Sequence, residues 1–136
     1  MTVKKLCITL MLLAGASTAM AETPKDILSA YSAEAGSGYV PSAERGKSLF
    51  LKDWGVSKDM PSCAACHTKD INAAGKHVTT GKTIEPLAPA VNPERFTSAK
   101  KVAKWFKRNC NDVIGRECTA AEKADFIQFA IKGGKA

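Results

Sequence analysis

Residues 63–67 read Cys63-Ala64-Ala65-Cys66-His67, and the rest of the chain is read outward from them. The spacing C-x-x-C-H is that of c-type haem attachment. Two thiols on one helical turn reach the two vinyl groups of a porphyrin, and the histidine that follows turns its imidazole toward the iron from one side. A disulfide between Cys63 and Cys66 is the ordinary alternative, but a redox C-x-x-C belongs in a βαβ setting. No strand is legible before Cys63. A zinc ribbon needs a second close pair of ligands, whereas Cys110 and Cys118 stand eight positions apart with no histidine near them. The motif therefore assigns Cys63 and Cys66 to two thioether bonds, His67 to the proximal iron position, and one covalent haem c to the chain.

The start of the chain sets the compartment. Lys4 and Lys5, the apolar run Leu6 to Ala16, and Ala19-Met20-Ala21 have the order of a cleaved secretory leader over residues 1–21. The working domain is then residues 22–136, and the expected location is the periplasm. The apolar run is shorter than the ~20 residues of a membrane span, and no later stretch is longer, so no span is expected in the mature chain. What remains of the 136 residues suffices for one domain with a modest core. A multidomain enzyme, a membrane channel and a (β/α)₈ barrel are excluded.

Charge and cysteine follow the same correction. The chain has 20 basic and 13 acidic residues; without Lys4 and Lys5 the excess is +5, 18 against 13. That mild balance suits an acidic docking partner better than nucleic acid, for which no motif is present. Cys7 leaves with the leader. An oxidising compartment argues that Cys110 and Cys118 pair rather than remain thiols.

The mature chain reads as short helices joined by loops. Thr23 as N-cap with Pro24 behind it starts a first helix that buries Ile27, Leu28 and Tyr31 and stops before Gly36. Ser42 caps a second through Gly46, Leu49 and Phe50. Residues 72–93, rich in Gly, Pro and Thr, read as a long ordered loop of the kind that packs over a cofactor. Thr97 or Ser98 caps a helix to about Asn109, with Val102, Trp105, Phe106 and Asn109 at the i, i+3, i+4, i+7 positions. Thr119 with Glu122 forms a capping box for a last helix ending at Gly133-Gly134. No run alternates for long enough to be a strand, so the expected class is all-α. With a haem near the middle, Gly46 and Phe50 early and Phe126 or Phe129 late, the chain resembles class I cytochrome c.

The sixth iron position is the open question. Electron-transfer cytochromes c usually hold iron between His and Met. Met1, Met11 and Met20 fall in the leader, and Met60 is tethered three residues before Cys63, a position read as lying on the histidine side. Four alternatives stand. His77, the only other histidine, is a loop residue that would make a low-spin electron carrier. A lysine would have to lose its proton. The position could stay empty. Asn109 is a polar residue on an apolar helix face, for which the plain reading is a bond to a backbone carbonyl.

Further residues carry a closer resemblance. Ala43-Glu44-Arg45-Gly46 with Leu49-Phe50-Leu51, Pro61-Ser62-Cys63, Thr80-Gly81-Lys82, Pro86-Leu87-Ala88-Pro89, Arg95-Phe96-Thr97, Lys104-Trp105, Arg108-Asn109-Cys110-Asn111 and Cys118-Thr119 are similar to the oxygen-binding cytochromes c of the sphaeroides haem protein type. The likeness covers nearly all of the mature chain, and the Arg-Asn-Cys-Asn…Cys cluster is specific to that group. It implies a class I cytochrome c fold with one haem, His67 as proximal ligand, Asn109 as distal ligand of ferric iron, and a Cys110–Cys118 disulfide. On reduction the asparagine would leave and the iron would accept oxygen or nitric oxide, so Asn109 acts as a distal gate. The implied partner is a dihaem cytochrome c electron donor, and the implied role is terminal acceptor of a short electron-transfer chain in a monomeric protein. Reduction of the small ligand would extend that role. The rival expectation is a plain electron shuttle, six-coordinate in both redox states. His77 sits in a segment, Gly75 to Thr79, that departs from the group by one extra residue.

Overall fold

Local capping chemistry starts each of the long helices. In the computed structural model, which describes residues 21–135, Thr23 and Asp26 form a reciprocal capping box at the head of α1 (Pro24–Ala35). Ser42 accepts from the Arg45 N–H to start α2 (Ala43–Leu51). The attachment turn is a short α3 (Ala64–His67). Ser98 caps α4 (Ala99–Ile114), and Thr119 with Glu122 boxes α5 (Ala120–Ile131). The expected leader lies, apart from Ala21, outside the described residues.

Two boundaries differ from the sequence reading. The Asn109 helix runs on to Ile114 before Gly115 ends it in the left-handed region at φ 80°. Val113 and Ile114 extend its apolar face and are buried, which carries the helix past the expected end at Asn109. The loop after the attachment turn also holds a two-residue antiparallel ladder, β1 (Gly75–Lys76) with β2 (Thr83–Ile84). Gly75 pairs with Ile84 and Lys76 with Thr83. Ladders this short carry no legible alternation.

The body of the molecule is α1 and α2 packed across α5. Phe50, Ile27, Ile127, Phe129 and Ile71 are fully buried. Phe50 lies 5.7 Å from Phe129 and 5.9 Å from Phe126, centroid to centroid. The α2–α5 crossing is close because Gly46 lacks a side chain: a Cβ there would overlap the Asp125 carbonyl. Asp125 is the buried polar residue of the core, 5% exposed. Its carboxylate accepts from the Ser42 N–H at 2.7 Å and from Arg45 Nε and Nη2 at 2.7 and 2.9 Å. The same guanidinium donates to the Tyr39 hydroxyl and the Val40 carbonyl. A buried carboxylate is tolerable only when satisfied in this way.

α4 stands apart from this body. Phe106 meets Tyr31 at 5.9 Å and Phe126 at 5.8 Å, both edge to face. Its far end belongs to a second apolar cluster of Cys110, Val113, Ile114 and Cys118, against which Trp54 and Met60 pack. Between α4 and the body lies a cleft. Gly46→Ala is expected to lower unfolding free energy by ~1–3 kcal/mol, the usual penalty of overpacking. A thermal melt of the cofactor-loaded variant checks this, and an unchanged midpoint would mean the two helices can separate freely.

Candidate haem site

The cleft has a volume of about 620 Å³, within the range of small-molecule and cofactor sites, and its walls are mostly apolar. The attachment turn forms one wall. Cys63 and Cys66 are both free thiols. Burial pushes the Cys63 thiol up to about 11, so it is held as a neutral group. His67 is pushed down to about 4, first by burial and then by the positive charge of Arg95. Its imidazole is therefore neutral across the physiological range, the form in which a ring nitrogen ligates a metal. Phe50 stands 6.5 Å from the His67 ring.

Backbone geometry fixes this turn. A Cβ on Gly75 would overlap the Cys66 carbonyl, so β1 can lie against α3 only because residue 75 is glycine. Thr68, directly after His67, takes a left-handed φ of 61°, and Phe96, directly after Arg95, one of 58°. These are the two non-glycine residues with positive φ among the described residues. Such strain is commonest at functional sites, and here both stand beside the cleft.

α4 forms the facing wall with Val102, Trp105, Phe106, Asn109 and Val113, the stripe expected from the sequence, extended by a turn. Trp105 is not a core residue but a lip of the cleft, 47% exposed. Asn109, an exposed residue, lines the same cleft as His67. Among the described residues it makes no side-chain hydrogen bond, whereas Asn72, Asn92 and Asn111 all do. The plain role open to Asn109, a bond to a backbone carbonyl, is taken by Asn111, whose Nδ2 donates to the Lys107 carbonyl at 2.6 Å. Two free thiols and a neutral imidazole on a mostly apolar cleft are the groups a c-type haem needs. The residues fit that group.

His77 lines the cleft as well, but its Nδ1 accepts from the Thr79 and Thr80 N–H groups at 3.2 and 3.3 Å, which ties the ring to its own loop. Met60 lines the cleft as well and packs on the Cys110–Ile114–Cys118 cluster at the end of α4, as Cys63 does. Cys110 and Cys118 are joined, with Cα atoms 5.7 Å apart. The bridge ties the last turns of α4 to the cap of α5. Gly75 and Arg95 are site residues that the reading of motifs passed over; a glycine in a polar loop and an arginine after a proline-rich run carry no distinctive signal.

Known proteins place these observations. Residues 37–130 match a family described as a domain of unknown function, DUF1924. Cytochrome c-type protein SHP of Cereibacter sphaeroides is 47% identical over 118 residues, 86% of this chain and 89% of that protein. The chain belongs to the SHP family of c-type cytochromes. It is an all-α class I cytochrome c with a single covalent haem c. The structure of oxidised SHP, an oxygen-binding cytochrome c, superposes with a TM-score of 0.75 at 46% identity, covering 82% of this chain and 97% of that one. Cytochrome c'' from Methylophilus methylotrophus is 42% identical over 92 residues, 67% of this chain and 64% of that protein. Its solution structure, which concerns the structural basis of haem-ligand detachment, gives a TM-score of 0.69 at 36% identity, covering 82% and 94% of the two chains. No helix among the described residues is long and apolar enough to cross a membrane.

The disulfide closes a short loop between residues 110 and 118, for which chain entropy gives ~2–3 kcal/mol. A Cys110→Ser, Cys118→Ser double variant is expected to lose about that much in denaturant unfolding while keeping its haem. A variant as stable as the parent would show that α4 is held by packing alone.

Proposed function

We propose that this SHP-family protein is an exported cytochrome whose distal ligand, Asn109, lets go on reduction and opens the site to oxygen, nitric oxide or a similar small molecule. The observation that carries the reading is the unpartnered Asn109 carboxamide on the apolar α4 wall of the cleft that also contains His67. The leader read in residues 1–21, cut after Ala21, supports export to the periplasm, and residues 22–136 are the working domain. SHP itself is described as oxygen-binding, and detachment of a haem ligand is described for cytochrome c''; both support the same behaviour here.

Bound through Cys63 and Cys66, haem supplies an iron that changes charge by one electron and can take a small diatomic molecule. His67 holds the proximal place as a neutral imidazole. Asn109 offers an uncharged amide oxygen, a hard donor that suits Fe(III) better than Fe(II), so its side chain is retained by the oxidised metal and released by the reduced one. The Cys110–Cys118 bridge holds the backbone beside Asn109, so release is a side-chain movement. Val102, Trp105 and Phe106 give the small molecule an apolar wall. In this role the protein is the terminal protein acceptor of a short electron-transfer chain, and reduction of the bound molecule would pass the electron one step further, to that molecule.

The electron enters from a partner, and α4 offers it a charged face. Lys100, Lys101 and Lys104 are exposed and make no ion pair among the described residues. Lys107 lies 3.6 Å from Glu117 and Arg108 3.9 Å from Asp112. Lys104 and Arg108 flank the exposed Trp105 ring at 5.6 and 5.8 Å. Such a face steers an acidic redox protein, and the family resemblance makes a dihaem cytochrome c the candidate donor to a monomeric acceptor.

A second reading is favoured by the placement of Met60. Its thioether, soft and at the edge of the same cleft, would keep reduced iron six-coordinate and make the protein a plain shuttle. The ferrous spectrum before and after carbon monoxide separates the two. A high-spin ferrous band that shifts with carbon monoxide is expected. Asn109→Ala should give a high-spin ferric spectrum with haem attachment intact, and Met60→Leu should change neither state. A low-spin ferrous form blind to carbon monoxide, restored to reactivity by Met60→Leu, would give the shuttle reading the site. Association with the donor should slow several-fold as ionic strength rises; a rate indifferent to salt would remove the lysine face from the account.

A further inference from the structure

Arg95 is a half-buried cation that forms no salt bridge among the described residues, Glu85 acting on it only from a distance. Its Nε donates to the Pro86 carbonyl at 2.8 Å and its Nη2 to the Glu85 carbonyl at 2.6 Å, so two backbone oxygens orient the guanidinium without neutralising it. No ion pair to Arg95 occurs among the described residues, although four others form. The residue lines the cleft, and its charge reaches His67. Burial lowers its proton affinity, with the charge of Glu85 acting in the opposite sense. The chain accepts a left-handed φ of 58° at Phe96 immediately afterwards. A charge removed from water is expected to be paired, and guanidinium geometry is matched to a carboxylate.

We propose that Arg95 is the anchor for a haem propionate carboxylate, and that it ties the Glu85–Pro86 end of the long loop to the cofactor. This rests on the reading of the cleft as a haem site but not on what Asn109 does. Arg95 is a positioning residue here. It fixes the cofactor's edge against the loop, and its positive charge offsets a carboxylate that would otherwise favour ferric iron.

The test uses the haem-loaded protein. In the ferrous parent saturated with carbon monoxide, the guanidinium protons of Arg95 should show nuclear Overhauser contacts to the propionate methylenes. Arg95→Gln should shift the propionate bending band in resonance Raman and lower the midpoint potential, while Arg95→Lys should recover part of the potential. Contacts absent from the parent, or a loaded Gln variant with band and potential unchanged, would overturn the assignment. Should the Gln variant fail to load, the parent contacts decide alone. The carbon monoxide shift is read on the same samples, so loss of the Asn109 reading is seen separately from loss of this one.

Discussion

Separation of α4 from the rest of the molecule is the constraint on which everything else depends. α1 and α2 close directly on α5, with Gly46 letting two backbones approach and Asp125 locking the crossing. α4 meets that body through Val102 near its start, the Phe106 ring in its middle and the disulfide cluster near its end. The space left between is the cleft. A helix held at separate points, rather than by one continuous face, can present a side chain to a cofactor without burying that side chain in a core. Trp105, 47% exposed, is the part of the stripe that these contacts leave uncovered at the cleft.

Much of this was legible in the residues, for reasons that can be stated one by one. The caps at Thr23, Ser42, Ser98 and Thr119 were readable because side chain-to-backbone bonds are local in sequence. The attachment motif was readable because its chemistry demands a fixed spacing. The all-α class followed from helical periods and from the absence of alternation. The Cys110–Cys118 bridge followed from export and separation. In each of these cases the decisive atoms lie within a few residues of one another.

What was misread or missed depends on distant partners. α4 runs on past Asn109 because Val113 and Ile114 continue its apolar face into a buried cluster with Cys110 and Cys118, and Cys118 comes from the start of the next helix. Trp105 stands 47% exposed, which a helical period does not report, since it gives the face of a helix and not what covers it. Gly75 and Arg95 matter through a carbonyl of residue 66 and carbonyls of residues 85 and 86, contacts that no local pattern announces.

The choice of an amide at position 109 has a physical logic beyond ligand preference. An imidazole or a thioether is a softer donor than an amide oxygen and suits Fe(II) better than that oxygen does, which would favour a site that stays closed on reduction. A carboxylate would bind Fe(III) through its charge, and on release would leave an anion on an apolar wall, which is costly to desolvate. A carboxamide carries no charge in either state. Once detached it would need only an ordinary hydrogen bond, which solvent can supply because residue 109 is exposed. If Asn109 is the distal ligand as proposed, the energy separating its bound and free positions would be small, and a change of one unit in metal charge would reverse their order. The Cys110–Cys118 bridge would keep that difference from being lost in motion of the helix, because it holds the neighbouring backbone while the side chain of residue 109 turns.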